Sequence, residues 1–401
     1  MMIRWWPFFV LSTLLLFCCT RKKVEQGSTV EMRYARNIGI EAFDGYHVVR
    51  MKNPWREGEL LHTYILIGRA DSARMAHEEL PEGTVVYVPL RRSVVFNTAH
   101  AQLVSWMVEG RHHSQPLQNG RGALVEGIAG VADLKYMLLP HIHKMVAEGQ
   151  IADCGSSMAP DIEKIMTLHA DGLLLSPFEN SGGYGRLEQI GVPIIECAEY
   201  MESSPLGRAE WMRFYGMLYG KERQADSLFA VVEKEYQKLK NQTTRSSTLD
   251  RRPSLLTEKL TGSTWYVPGG KSTVAQMIAD AGATYAWSND EHSGSLALSY
   301  ETVVSKASDA DVWIFNDQSG EPTYERLKAE YHGYAIFKAF REHRIWYVNS
   351  MKVPYFEEVS FRPDWLLRDY ILMLHPGLLQ GSTRYYKPAS PLTPLPEARG
   401  T

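Results

Sequence analysis

The sequence is poor in the features that carry covalent chemistry. It has four cysteines, at Cys18, Cys19, Cys154 and Cys197, and no CxxC spacing, so a zinc or cluster site built on thiolates is excluded. Ser156 in "CGSSM" lacks the GxSxG of a nucleophile elbow. "PGGKST" fails as a phosphate loop because Trp265 stands where GxxxxGK[ST] needs glycine. There is no HExxH, no dinucleotide fingerprint and no coherent Ser-His-Asp set. "HIH" at His141 and His143, and "RHH" at Arg111–His113, fit exposed helix starts or loops better than metal pairs. The net charge of -3 lacks the basic footprint of a nucleic-acid binder. The expectation is therefore no catalytic residue, no metal site, no resident cofactor and no nucleic-acid partner. What the chain does have is length and apolar content: 401 residues, 44% hydrophobic, enough for two domains with a large core.

The N-terminus is a separate matter. "MMIRWWPFFVLSTLLLFCC" has one positive charge, Arg4, an apolar run from Trp5 to Phe17 and two cysteines. The run is short of the roughly 20 apolar residues of a spanning helix and has the layout of a secretory signal. Cysteine at its end resembles a bacterial lipoprotein signal, in which the residue before the modified cysteine is small. Phe17 fits that position poorly and Cys18 fits it better, so Cys19 is the expected lipidated residue, with Cys18 as the alternative. An ordinary signal peptide or an uncleaved anchor is the other reading. After processing Cys154 and Cys197 remain, either paired in an oxidising compartment or as two small buried residues.

Residues 1–19 are thus set aside as a leader, and residues 20–83 are assigned to a polar tether and a β extension. "YHVVRMKNPW", "LHTYILIGR" and "TVVYVPL" carry β-branched and alternating runs. From about residue 84 to 204, strand and helix patterns alternate, the mark of a parallel sheet covered on both faces. "SSPLGRAEWMRFYGMLYG" and "KERQADSLFAVVEKEYQKLKNQ" then give two helices with no strand between them, over 205–242. Ser204 is the expected N-cap and Pro205 the first helical residue. Leu228, Phe229, Val232, Tyr236 and Leu239 keep a helical period. The alternation returns over 252–376. Residues 377–401, rich in proline and serine, are expected as an extended tail. The fold class is α/β: two lobes with mainly parallel sheets, joined by one long helix.

The two lobes share a pattern. "DIEKIMTLHADGLLL" in the first and "SYETVVSKASDADVWI" in the second each run from an acid in a first helical turn, through apolar pairs and a polar turn with Asp171 or Asp311, to a buried strand. At these residues the chain resembles the substrate-binding proteins of ABC importers for iron complexes and vitamin B12. In that family each lobe carries "(L/Y)E-x-(I/V)" followed by "xxPDLVI". Ala170 and Ala310 stand here in place of the family proline. The resemblance covers roughly Thr84 to Pro376 and leaves out the β extension. It implies that Glu163 and Glu301 dock on arginines of the two permease subunits. A charge at a helix start is well tolerated by the dipole, and on an exposed rim it sets register more than affinity.

In parallel α/β sheets ligands bind beyond the carboxyl ends of the strands. That rule collects Asn97, Thr98, His100, Ser176, Glu179, Tyr184 and Tyr200 from the first lobe. From the second it collects Trp265, Tyr266, His292, Asn316 and Tyr355. The aromatic supply suits a flat or bulky ligand. The expected function is a periplasmic, lipid-anchored binding protein, monomeric and not an enzyme. It captures a siderophore, haem or a corrinoid, whose iron or cobalt belongs to the ligand, and delivers it to an ABC permease with its ATPase. A chelatase-like or cluster-handling metal enzyme of related two-lobe fold is the alternative, and a scavenger lipoprotein with no permease is a third.

Overall fold

The computed structural model describes residues 27–109, 126–179, 183–245 and 251–391. The leader with Cys18 and Cys19, and the Arg111–His113 stretch, lie outside the described residues.

In the first lobe a five-stranded parallel sheet runs in the order Ile194–Glu196, Gly172–Leu175, Arg92–Val95, Gly127–Val131, Ala152–Asp153. Helices and loops cover both faces, so its central strands are apolar without alternation: Val94, Val95, Leu173 and Leu174 are all fully buried. The second lobe repeats the plan with Thr284–Tyr285, Ser254–Thr257, Val312–Asn316 and Ile345–Val348 in parallel. Its last strand corrects the tail expected at 377–401. Residues up to 391 return to the lobe, and Lys387–Pro388 pairs antiparallel with Ile345–Val348. The reason lies in the residues between. Tyr385 and Tyr386 are buried, and the Asp369 carboxylate accepts the backbone amides of Arg384 and Tyr385, both at 2.7 Å.

The N-terminal extension is a sheet of Ser28–Val30, Ile38–Phe43, Tyr46–Lys52, Leu60–Gly68 and Thr84–Val88. The last of these pairs with Leu60–Gly68, so the first lobe's own sheet starts at Arg92 and not at residue 84. The extension is pinned to the connecting segment by two buried carboxylates. Glu210 accepts the backbone amides of Arg33, Tyr34 and Ala35 at 2.9, 2.7 and 2.9 Å. Glu202 accepts those of Arg36 and Asn37 at 3.0 and 2.9 Å. An irregular stretch of backbone is buried here only because each donor finds a charged acceptor.

Helices Pro205–Glu210 and Met212–Tyr219 lead into the backbone helix Glu222–Arg245. Its 24 residues span roughly 36 Å at 1.5 Å per residue. Ala225, Leu228, Phe229, Val232, Tyr236 and Leu239 are the buried stripe, and most of the rest of the helix is charged and polar. Gly216 permits the close crossing of the two helices: a side chain there would meet the Ala225 methyl at 2.7 Å. Gly220, at φ +61°, ends the shorter helix in the left-handed conformation.

Cys154 and Cys197 are free and buried. They follow strands at opposite edges of the first lobe's sheet, four strand spacings or roughly 19 Å apart, well beyond disulfide reach. Among the described residues no helix is long and apolar enough to cross a membrane.

Candidate ligand cleft

The repeated pattern builds the same frame twice. In the first lobe Asp161 caps helix Ile162–Thr167 by accepting the Lys164 amide at 2.9 Å, and Glu163 is exposed in the first turn. In the second, Ser299 caps helix Tyr300–Ala307 by accepting the Thr302 amide at 3.3 Å, and Glu301 is exposed in the first turn. Among the described residues neither glutamate has an ion pair or a side-chain hydrogen bond. The aspartate that follows pins the start of the neighbouring strand. Asp171 accepts the amides of Arg91 and Arg92 at 2.8 and 3.0 Å. Asp311 accepts the Ser254 amide at 2.8 Å and pairs with Lys338 at 2.7 Å. Burial pushes the Asp311 pKa up, but Lys338 and Ser254 outweigh it and hold the carboxyl below its ordinary value.

Between the lobes lie two adjoining chambers. One, of about 300 Å³, is lined by Phe96, Asn97, Thr98, Asp133, Tyr136 and Met137 of the first lobe and Phe356 and Ser360 of the second. The other, of about 270 Å³, is lined by Glu258, Thr273, Val274, Met277, Asn316, Val348, Tyr355, Leu366, Tyr370 and Tyr386 among others. Arg208 and Phe356 line both. Arg208 projects from the helix Pro205–Glu210, which the Ser204 hydroxyl caps by accepting the Gly207 amide at 3.0 Å.

Asp133 and Glu258 hold left-handed backbone, at φ +53° and +60°, a conformation costly for residues with side chains and common where a site demands it. Each lies just beyond the carboxyl end of a strand. Glu258 is exposed as a residue and lines the second chamber. Loss of hydration beside that chamber raises its pKa to about 7, against a smaller opposing pull from the Asn316 amide. The chambers are closed behind by contacts between lobes. Glu357 accepts from the Thr98 hydroxyl at 2.9 Å and the Leu138 amide at 2.8 Å, and Trp106 meets Trp365 edge-on at 5.9 Å.

Of the residues expected in the cleft, Asn97, Thr98, Asn316 and Tyr355 line the chambers. Ser176 sits beside Asn97, whose amide donates to it at 3.3 Å. His100 and Trp265 are corrections, because both are fully buried. His100 bonds Glu199 at 2.9 Å. Burial opposes its charge, but neighbouring negative groups including Glu199 outweigh burial and raise its pKa to about 10. Trp265 lies in the strand Thr264–Pro268, where alternation turns Trp265 and Val267 inward and Tyr266 outward. Its indole N–H donates to the Thr257 carbonyl at 2.9 Å.

Tyr184 faces a groove between the extension and the first lobe with His62, Thr84 and Glu196, and its hydroxyl donates to Glu196 at 2.8 Å. The Tyr200 hydroxyl donates to the Pro177 carbonyl. Glu179, Tyr266 and His292 are exposed and line neither chamber, and His292 bonds Asp290 at 3.0 Å. His141 and His143 are engaged by Ser105 and the Met137 carbonyl at 2.8 and 2.7 Å. Among the described residues no group of three or more His, Cys, Asp or Glu is placed to hold a metal ion.

The strand-end rule could have found Asp133 and Glu258. Phe356 follows Tyr355, which that rule did collect, whereas Arg208 had no such signal, since it comes from a helix of the connecting segment.

The pattern that defines the family described as periplasmic binding protein matches residues 130–350. An uncharacterized lipoprotein of Methanocaldococcus jannaschii is 26% identical over 377 residues, which cover 90% of this chain and 86% of that protein. The fold is similar to a periplasmic heme binding protein from Pseudomonas aeruginosa, with a TM-score of 0.55 and 17% identity, over 76% of this chain and 99% of that one. It is also similar to a possible iron-binding (periplasmic solute-binding) protein from Staphylococcus epidermidis, with a TM-score of 0.53 and 17% identity, over 72% and 99%.

Proposed function

The chain belongs to the periplasmic binding protein family, and from that premise we propose that it captures an iron complex, haem or a corrinoid between its lobes and hands it to an ABC importer. It is a binding protein and not an enzyme, which displaces the reading as a metal-handling enzyme. The observation that carries the proposal is the pair of exposed, unengaged glutamates, Glu163 and Glu301. They stand one per lobe at equivalent helix starts, on lobes joined by a rigid helix. Such a pair is suited to docking on a two-subunit permease, because charges on rigid bodies fix register.

The chambers support a bulky ligand. One is walled mainly by aromatic and aliphatic surface, and the other adds the polar groups Asn97, Thr98, Asp133 and Ser360, a composition suited to a small-molecule site. Relatives named as lipoproteins support an extracytoplasmic protein held to a membrane by a lipid on Cys19.

The test separates capture from delivery. With Glu163→Ala and Glu301→Ala combined, ligand binding stays at the wild-type level and uptake by cells carrying the permease falls at least tenfold. Unchanged uptake would remove the docking role and favour a scavenger without a permease. Lost binding would give the glutamates another task.

A further inference from the structure

We infer that the outer edge of strand Ser295–Leu298 is a further docking element beside Glu301, which takes an extended backbone segment of the permease as an added strand. The inference deepens the docking reading of Glu163 and Glu301 and rests on it. Strand Ser295–Leu298 pairs antiparallel with Thr264–Pro268 on one side, and among the described residues no strand lies on its other side. The register fixes which groups are left open. Just past the strands the Gly269 amide donates to the Gly294 carbonyl at 2.8 Å and the Lys271 amide to the His292 carbonyl at 3.0 Å. Hydrogen-bonded pairs alternate along an antiparallel ladder, so Leu296 and Leu298 bond to the opposite Val267 and Trp265. Ser295 and Ala297 then turn their amides and carbonyls outward. Both residues are exposed, and among the described residues no hydrogen bond reaches those groups.

Natural edges are blunted by charge, proline or a covering element. Gly294 to Ser299 contains no charged residue and no proline. Ser295 and Ala297 are small, Gly294 has open space beside its Cα, and Leu296 and Leu298 pack on the core and hold the edge in place. The fold does close an edge elsewhere. Ile194–Glu196 ends the first lobe's sheet, and the Tyr64 hydroxyl donates to the Ile194 carbonyl at 3.1 Å and accepts the Glu196 amide at 2.9 Å. The stretch before the first lobe's glutamate helix is a hairpin of Gly155–Ser156 and Ala159–Pro160, and Pro160 has no amide to offer. The two docking points therefore differ, and position selects the occupant of the open one. Ala297 is followed by Leu298, the Ser299 cap and then Tyr300 and Glu301, so a strand on this edge lies beside the glutamate and its basic partner. Four residues are too few to hold a second copy of the chain, since a stable interface buries about 800 Å² a side. They suffice for a partner already held by the glutamates, because a further contact on a docked partner is intramolecular. Main-chain hydrogen bonds give such an added strand its affinity.

The experiment uses the full chain, and the permease with its ATPase in lipid nanodiscs. Amide hydrogen exchange at Ser295 and Ala297 is read with and without the nanodiscs. Nanodisc affinity is measured for wild type, Ala297→Pro, Ala297→Val and the combined Glu163→Ala and Glu301→Ala variant. Proline at an outward edge amide removes the donor and leaves the ladder to Thr264–Pro268 intact. The expected result is that both amides slow at least tenfold on docking. Ala297→Pro then binds at least fivefold more weakly than Ala297→Val, which adds similar bulk and keeps the amide. If the glutamate variant docks poorly but both amides exchange alike with and without nanodiscs, the inference is overturned and the docking reading stands. Equal weakening by proline and valine also overturns it, since bulk and not the donor then matters. Where the unfolding midpoint shows Ala297→Pro to be destabilised, the exchange in wild type decides alone. Slowing that grows with protein concentration in the absence of nanodiscs gives the edge to a second copy and overturns the inference. If the glutamate variant docks as wild type does, the docking reading falls and the inference with it.

Discussion

The two lobes share a frame and differ in filling. Each has a parallel sheet, a capped helix with an exposed glutamate and an aspartate that pins the neighbouring strand. The first lobe's strands are packed with Val94, Val95, Leu173 and Leu174. The second lobe's core is aromatic: Trp313 lies 5.6 Å from Trp265, 5.1 Å from Tyr334 and 5.5 Å from Phe337. The repeat therefore specifies backbone and rim, and each lobe solves its interior separately. The cleft belongs to neither pattern. Arg208, Glu258 and Phe356 all lie outside the repeated stretch.

Changes in the two cores should be unequal. Trp313→Ala is expected to cost about 4–5 kcal/mol and Leu174→Ala about 3 kcal/mol, measured by denaturant unfolding with probes in each lobe. Equal costs would mean that the aromatic core holds Trp313 no more firmly than the aliphatic core holds the smaller Leu174. The pinning aspartates should also differ. Asp311→Asn is expected to cost about 2–3 kcal/mol and Asp171→Asn about 1–2 kcal/mol, since Asp311 is the less exposed, with a side chain 11% accessible against 22%. The folded pKa of Asp311 lies below its ordinary value of 3.8. Its contribution is thus complete above the ordinary value and is lost as pH falls through the lower folded value. The Asn variant should show a flatter acid limb.

The joint between the lobes comes next. Glu357→Ala removes the acceptor of the Leu138 amide, and hydrogen exchange at that amide should rise roughly tenfold, about 1.4 kcal/mol, with amides of the lobe sheets unchanged. A rise in both sheets would show that the lobes unfold as one unit. The smallest effect is at Glu258, whose pKa rises from 4.5 to about 7. The folded state keeps a proton that the unfolded chain has released, so stability declines as pH rises from about 4.5 to about 7 and is level above. Glu258→Gln should abolish that slope, read from unfolding midpoints across the range.

Much of the frame was legible because it is local. Leu228, Phe229, Val232 and Tyr236 announced the buried face of the backbone helix, and Ser204 with Pro205 announced a helix start. "TGSTWYVPGG" misled, because a short strand between glycines resembles a loop until its partner strand Ser295–Leu298 is known. The aromatic supply of the second lobe was visible, but whether Trp265 faced a ligand or the core depended on that pairing. The tail misled for a similar reason: its composition is that of a free segment, and the groups that hold it, Asp369, Glu358 and the strand Ile345–Val348, lie on other elements.

By itself the sequence determined the alternation of strands and helices, the paired glutamates and the long connector. Each follows from periodicity, capping and short-range spacing, which act over a few residues. Only the tertiary structure decided which residues form the cleft. Arg208 lies where the two chambers meet, Glu258 shares a chamber with residues from several elements, and Thr98 meets Glu357 across a sequence separation of 259 residues. Burial and unmet hydrogen bonds are properties of the assembled surroundings, and no stretch of chain carries them alone.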